Sequence, residues 1–204
     1  MTTLIIARHG NTFEKGQTPT RVGARTDLPL VQSGKEQAKK MGAWLRQNDY
    51  LPEVVYSSEL KRTKETAEIA VKECGYHQPV FPLEIFNEID YGPDENQTEE
   101  KVIERIGSEA IRNWNENGSV PPDWNFDPEQ CMENWKNFSQ HIIEDEQDII
   151  LVITSNGIAR FAPYITGQFK DFAENHDIKL STGAFGILQF DGNQWLIKDW
   201  NVKP

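Results

Sequence analysis

The spacing of apolar residues changes several times along the chain, and each change marks an element. Leu4 to Ala7 are apolar without a break, the pattern of a short strand covered on both faces, and the polar Arg8-His9-Gly10 follows at its end. From Phe13 to Gln32 there is no period at all, but there are breakers at Gly16, Pro19, Gly23 and Pro29, which predicts a long loop carrying Arg21 and Arg25. Ser33-Gly34-Lys35-Glu36 has the form of a capping box, and Ala38, Met41, Gly42 and Leu45 follow at helical spacing, predicting a helix over about 34–47. Val54 to Tyr56 reads as a second strand. Ser57, Ser58 and Glu59 supply cap hydroxyls and a first-turn acid for a helix through Leu60, Ala67, Ile69 and Val71 to about Glu73.

Further on, Phe81 to Ile89 is mixed and leads into a turn at Asp90-Tyr91-Gly92-Pro93. Polar amphipathic patterns predict helices over Thr98 to Trp114 and Pro128 to Ile143, joined by the turn-rich Asn117 to Asn125. Ile149 to Thr154 is the most apolar run in the chain and reads as a central strand, turned by Ser155-Asn156-Gly157 into a helix through Ile158 and Phe161. Phe185 to Phe190 and Trp195 to Trp200 flank Asp191-Gly192, predicting a hairpin at one edge of the sheet. Strands alternating with helices define an α/β fold around a mostly parallel sheet, with a helical excursion over about 98–145.

With 204 residues, the chain is expected to form a single domain over 1–204. Its hydrophobic fraction of 37% is enough for a core. Lys and Arg number 21 against 32 Asp and Glu, a net charge of −11, so such a surface repels nucleic-acid phosphates and anionic membranes alike. Cys74 and Cys131 are too few for a disulfide scaffold and lack structural zinc spacing. With no signal-peptide core in Met1 to Ala7, the expected setting is the cytoplasm.

Three predicted strands end in polar groups: Arg8-His9-Gly10, Ser57-Ser58 with Arg62 following, and Ser155-Asn156-Gly157. Open parallel sheets bind ligands beyond the carboxyl ends of their strands, where helix N-termini offer backbone N–H groups to anions. In so acidic a chain, Arg8 and Arg62 at these ends point to an anionic ligand such as phosphate.

Arg8-His9-Gly10-Asn11-Thr12 resembles the Arg-His-Gly-x-Thr signature of the histidine phosphatase superfamily, the phosphoglycerate-mutase-like proteins. Asp27-Leu28-Pro29-Leu30 with Gly34 and Gln37-Ala38 is similar to the segment after that family's first loop. The run Ser57-Ser58-x-Leu60-x-Arg62-Thr63-x-x-Thr66-Ala67 resembles its second phosphate-binding motif, and Glu88-x-x-x-Gly92 its general-acid motif. The resemblance implies a three-layer α/β/α sandwich of the phosphatase branch. It also implies hydrolysis of a small phosphorylated metabolite through a phosphohistidine on His9, with no cofactor or metal.

The chemistry of the residues is compatible with those roles. A neutral imidazole is a competent nucleophile near pH 7, Gly10 would clear its approach path, and guanidinium forks neutralise transferring oxygens. Arg8, Arg62 and Asn156 are the expected partners of His9. Glu88, set among Ile85, Phe86 and Ile89, is the expected acid, with Glu84 as its nearest competitor. Asn11, Thr12, Lys15, Arg21, Arg25 and Gly157 are candidate phosphate or substrate contacts.

Two positions depart from the family's pattern. Asn156 stands where a second histidine is usual, and an amide can donate to phosphoryl oxygen but carries no charge. Lys15 stands where asparagine is common. Phosphoglycerate-mutase-type transfer is the alternative within the family, and the Asn156 change leaves a phosphate-binding module of lost or reduced turnover as another. His77, His141 and His176 have no motif around them. Trp114, Trp124, Phe126, Trp135 and Phe138 read as a satellite core for the excursion, with an aromatic cap over the site as the other reading. Asp94, Glu95, Glu99 and Glu100 read as a solvated helix start.

Overall fold

The computed structural model describes residues 1–204. The chain runs β1 (Thr2–Arg8), α1 (Gln32–Gln47), β2 (Val54–Ser57), α2 (Lys61–Cys74), β3 (Val80–Pro82), α3 (Glu99–Asn117), α4 (Pro128–Glu144), β4 (Ile149–Thr154), α5 (Asn156–Ala159), α6 (Phe169–Asn175), β5 (Phe185–Phe190) and β6 (Trp195–Val202). Short 3-10 turns occupy Glu84–Phe86, Gly92–Asp94 and Ala162–Thr166. No helix is long and apolar enough to cross a membrane.

The strands make one sheet in the order β3-β2-β4-β1-β5-β6. The first four are parallel, and the β5–β6 hairpin closes the sheet antiparallel at one edge. Successive side chains of a strand point to opposite faces, so the unbroken apolar runs feed two cores. Leu4, Ile6, Ile150 and Val152 face α3 and α4, whereas Ile5, Ala7, Leu151 and Ile153 face α1 and α2. Each such buried side chain contributes about 1.5–3 kcal/mol. The result is a mixed α/β sandwich with helices on both faces.

The excursion aromatics belong to the main core, not to a satellite: Trp114, Trp124, Trp135 and Phe138 share one cluster with Leu4 and Val152. Trp114 also lines the cavity described below. The acidic run corrects the expectation of a solvated face. Asp94 is buried and receives the Arg105 Nε at 2.6 Å and the Trp124 Nε1 at 2.7 Å. Glu95 takes the backbone N–H groups of Gly23, Arg25 and Tyr91, stitching the long loop to the turn before α3. Glu99 and Glu100 are exposed, as a helix start would have them.

Two cap assignments also change. Helix α1 begins at Gln32 after an uncapped Val31, and the Ser33 hydroxyl instead receives the Asn11 side-chain amide at 3.3 Å. Helix α2 starts after Leu60, whose N–H reaches back to the Ser58 hydroxyl at 3.3 Å. Strand β3, short and half open to solvent, has no pattern that could announce it.

Parallel pairing brings three strand ends to one edge. The N–H of His9 donates to Thr154 and that of Ser58 to Ile153, each at 3.0 Å, so the segments after β1, β2 and β4 emerge side by side. Gly10 and Gly34 let the first of these pass close to α1: a Cβ on Gly10 would strike the Gly34 carbonyl, and one on Gly34 the Asn11 carbonyl. Gly10 is thus required by backbone packing. Gly34→Ala is expected to lower stability by about 1–3 kcal/mol through overpacking against fixed backbone. Urea unfolding checks this: a lower midpoint at unchanged slope is expected, and an unchanged midpoint would contradict it.

Candidate active site

At the end of β1, His9 is 6% exposed and held by both ring nitrogens. Nδ1 lies 2.7 Å from the Gly10 carbonyl, which can only accept, so the proton resides on Nδ1. That leaves the Nε2 lone pair facing the Arg62 Nε–H, which donates to it at 3.2 Å. Burial lowers the imidazole well below its ordinary range. Arg62 and Arg8 lower it further by charge, against a smaller opposing effect of the Gly10 carbonyl. His9 is therefore a neutral base beside two cations.

Arg62, on the first turn of α2, is completely buried. Besides His9, its guanidinium donates to the carbonyls of Thr26 at 3.1 Å, Val22 at 3.3 Å and Gly23 at 3.2 Å. The same side chain thus fixes the long loop and the imidazole. Thr66, one turn along, accepts from the Gly10 N–H at 3.1 Å and donates to the Arg62 carbonyl at 2.7 Å, locking α2 to the end of β1.

Arg8 donates from Nη1 to the Leu180 carbonyl at 2.8 Å, while its buried Nε has no partner. Glu88 is 7% exposed, and its Oε1 and Oε2 accept from the Ile89 N–H at 3.0 Å and the Gly157 N–H at 3.3 Å. Gly157 has no room for a side chain, because a Cβ there would meet the Glu88 carboxylate. Asn156 accepts the Leu180 N–H on Oδ1 at 2.9 Å, which leaves its Nδ2 without a protein acceptor.

His9, Arg8, Glu88 and Asn156 line one cavity of about 790 Å³, together with Thr12, Lys15, Arg21 and Trp114. Arg62 stands behind His9 and not on the cavity wall. Asn11 is on the wall, but its side chain is engaged by Ser33 and by Thr182 at 2.5 Å. Arg25 lies outside: its Nε pairs with Asp90 at 2.9 Å and its Nη2 with the Gly92 carbonyl at 2.6 Å, holding the loop to the neighbouring turn. Glu84 faces a separate shallow groove, so of the two candidate acids only Glu88 lines the cavity. His77, His141 and His176 are exposed on the surface.

Two wall residues escaped the sequence reading. Arg160 follows α5 and is 2% exposed, stacked 4.1 Å over the Trp114 ring. Lys179 approaches from the segment before β5. Arg160 was legible in principle, since it lies one helical turn after Asn156 and projects on the same side. Lys179 sits in irregular chain, where no periodicity could place it.

A mixed sheet with a polar, cation-lined cavity at its parallel strand ends is the architecture of the phosphoglycerate-mutase-like α/β proteins. The family model for the histidine phosphatase superfamily, branch 1, matches residues 4–203, and the chain belongs to that superfamily. The uncharacterized phosphatase PhoE of Bacillus subtilis (strain 168) is 25% identical over 202 residues, covering 99% of this chain and 95% of that one. A 2,3-bisphosphoglycerate-dependent phosphoglycerate mutase of Tropheryma whipplei (strain Twist) is 30% identical over 123 residues, 60% of this chain. The chain spans about half the length of that relative, 55%. The solved mycobacterial glucosyl-3-phosphoglycerate phosphatase superposes with a TM-score of 0.81 at 16% identity, covering 99% of this chain and 100% of that one. The α-ribazole phosphatase from Shigella flexneri gives 0.74 at 19%, covering 99% and 97%. At such identities the likeness is one of fold.

The state of His9 can be measured directly. Its depressed folded value means the imidazole stays neutral, with Nδ1 protonated, at pH 6, where an ordinary histidine is largely charged. Below about pH 6.5 the unfolded chain takes up a proton that folded His9 refuses, so this residue's contribution to stability falls as pH falls. Nitrogen NMR of labelled histidine checks the assignment, and a fully protonated His9 signal at pH 6 would contradict it.

Proposed function

We propose that the protein hydrolyses a phosphomonoester of a small metabolite through a phosphohistidine on His9, as a histidine-acid-phosphatase type of enzyme needing no metal. The observation that carries the proposal is the neutral imidazole on the cavity wall, whose unprotonated Nε2 accepts the Arg62 Nε–H and lies near Arg8. A phosphoryl group entering the cavity meets a nucleophile that needs no deprotonation. Arg8 on the wall, and Arg62 once its Nε–H passes from His9 Nε2 to a phosphoryl oxygen, balance its charge.

In the first step the Nε2 lone pair forms a bond to phosphorus and the ester P–O bond breaks. Glu88 gives its proton to the leaving alkoxide. In the second, Glu88 takes a proton from water, the resulting hydroxide attacks phosphorus, and the N–P bond breaks. His9 recovers its lone pair and phosphate leaves. Arg8, with its unpartnered Nε, and the Arg62 Nε–H stabilise the transferring oxygens. The Asn156 Nδ2 adds an uncharged donor. Thr12, Lys15 and Gly157 complete the phosphate surroundings, and Arg21 acts further out. Metal independence is supported by the guanidinium groups available for charge neutralisation and by the want of three His, Cys, Asp or Glu side chains grouped to hold a metal ion.

Two measurements test this reading. Rapid quench with a phosphorus-labelled ester, in the presence of a chelator, is expected to trap acid-labile, base-stable phosphate on His9. His9→Ala should lose turnover by at least a thousandfold, about 4 kcal/mol. Turnover abolished by the chelator and restored by a divalent ion would contradict the metal-free reading. A phosphoenzyme that passes its phosphate to an acceptor hydroxyl and not to water would make the protein a mutase. Phosphate binding with no phosphoenzyme would make it a binding module.

Glu88→Gln is expected to slow an alkyl phosphate by about a hundredfold and an aryl phosphate far less, because a phenolate departs without a proton donor. Equal losses on both esters would contradict the acid role.

A further inference from the structure

We infer that the cavity holds a second anion-binding subsite, formed by Arg160, Lys179 and Arg21, and that the substrate carries a carboxylate or a second phosphoryl group in addition to the one transferred. The inference rests on the phosphoryl chemistry proposed at His9, and it concerns the far end of the same substrate.

The three cations come from separate segments, and the two arginines among them are held by an aromatic rail. Arg160 lies 4.1 Å over the Trp114 ring, and Arg21 lies 4.9 Å over Trp124 and 5.3 Å over Tyr91. The two indoles meet edge to face at 5.3 Å, so the guanidinium groups sit on adjacent rings. Stacking fixes each guanidinium plane and leaves its N–H edges for in-plane acceptors.

These cations have few protein partners. Arg160 donates from Nη1 to the Trp114 carbonyl at 2.6 Å and from Nε to the Asn156 carbonyl at 3.3 Å, while its Nη2 has no hydrogen bond. It has no carboxylate within ion-pair distance, and neither has Lys179. Arg21 is paired with Glu99, yet its buried Nε has no acceptor. Burial lowers both Arg160 and Lys179 from their ordinary values; on Arg160 it outweighs the opposing effect of Tyr91 and Glu88, with Arg8 and Arg21 adding to it, and on Lys179 the charge of Arg160 adds to it. Arg160 falls to about 10, so its guanidinium remains charged at pH 7.

Crowding three like charges on one wall is unfavourable unless an anion occupies the space between them. The phosphoryl group at His9 does not meet that need, because it already has Arg8 and Arg62. The cavity, at about 790 Å³, is several times the size of a phosphate ion and in the range of a whole small metabolite. Glu99 pairs with Arg21, whereas Glu88 and Asp177 act on Arg160 and Lys179 by charge without forming an ion pair, so two of the three cations keep no direct carboxylate partner in a chain of −11.

Three esters that differ only at the far end test the inference: propyl phosphate, 3-phosphooxypropanoate and 1,3-propanediol bisphosphate. For the wild-type protein, kcat/KM is expected to be at least tenfold higher for one of the two doubly anionic esters than for propyl phosphate. Which one is preferred decides between carboxylate and phosphoryl. In Lys179→Met the ratio is expected to shrink about tenfold, mainly through KM, and Lys179→Arg should restore it. Arg21→Met, read in the same way, supports the subsite by an independent substitution. Equal kcat/KM for all three esters, or a ratio unchanged by Lys179→Met and Arg21→Met, would overturn the inference while leaving the phosphatase reading intact. If no ester is turned over, the phosphatase reading fails, and dissociation constants for the same three compounds decide the inference. A tenfold preference lost in Lys179→Met would then support it, and equal affinities would overturn it.

Discussion

The site depends on one contact: a buried guanidinium held against an uncharged imidazole. The Arg62 Nε–H reaches the lone pair of His9, and the remaining Arg62 donors hold the carbonyls of the long loop. A charge in so dry a place is costly unless it is well hydrogen-bonded, and here those bonds tie β1, α2 and the loop together. Burial first, and then this cation, lower the His9 imidazole well below its ordinary value, which leaves Nε2 unprotonated at neutral pH. Scaffold and chemistry therefore share the same side chain.

Around that contact the structure is built by close backbone approach. Gly10 and Gly34 bring the end of β1 against α1, and Gly157 brings the start of α5 against the Glu88 carboxylate. Acidic residues hold the loop from the other side: Glu95 gathers three backbone N–H groups, and Asp94 anchors Arg105 and Trp124. Burial alone would raise the Asp94 carboxyl, but hydrogen bonds from Arg105 and Trp124 bring it below its ordinary value. Trp124 in turn carries Arg21, so the cavity's outer wall is braced by what looks in sequence like a solvated acidic run.

Much of this was legible in the residues. Unbroken apolar runs at Leu4 to Ala7 and Ile149 to Thr154 announced doubly covered strands, and the polar groups after them announced where a ligand binds. The resemblance to the histidine phosphatases led to His9, Arg8, Arg62 and Glu88 by motif. Other features had no such mark. Arg25 differs from Arg21 only in which turn of an aperiodic loop it occupies, and tertiary contacts with Asp90 and Gly92 decide that it faces away. Lys179 reaches the cavity from irregular chain, and Asp94 owes its burial to a partner eleven residues away. Long-range pairing decides such cases, and local pattern carries no record of it.

The central claim is that the His9 lone pair and the cations beside it form a receptor for a phosphoryl group in transfer. A crystal structure of the protein with orthovanadate tests it most directly, since vanadate adopts the five-coordinate geometry of that group. The account requires vanadium bonded to His9 Nε2, with equatorial oxygens on the guanidinium groups of Arg8 and Arg62 and one oxygen on the Asn156 Nδ2. Vanadate seated elsewhere in the cavity, with the Arg62 hydrogen bond to His9 Nε2 intact, would contradict it.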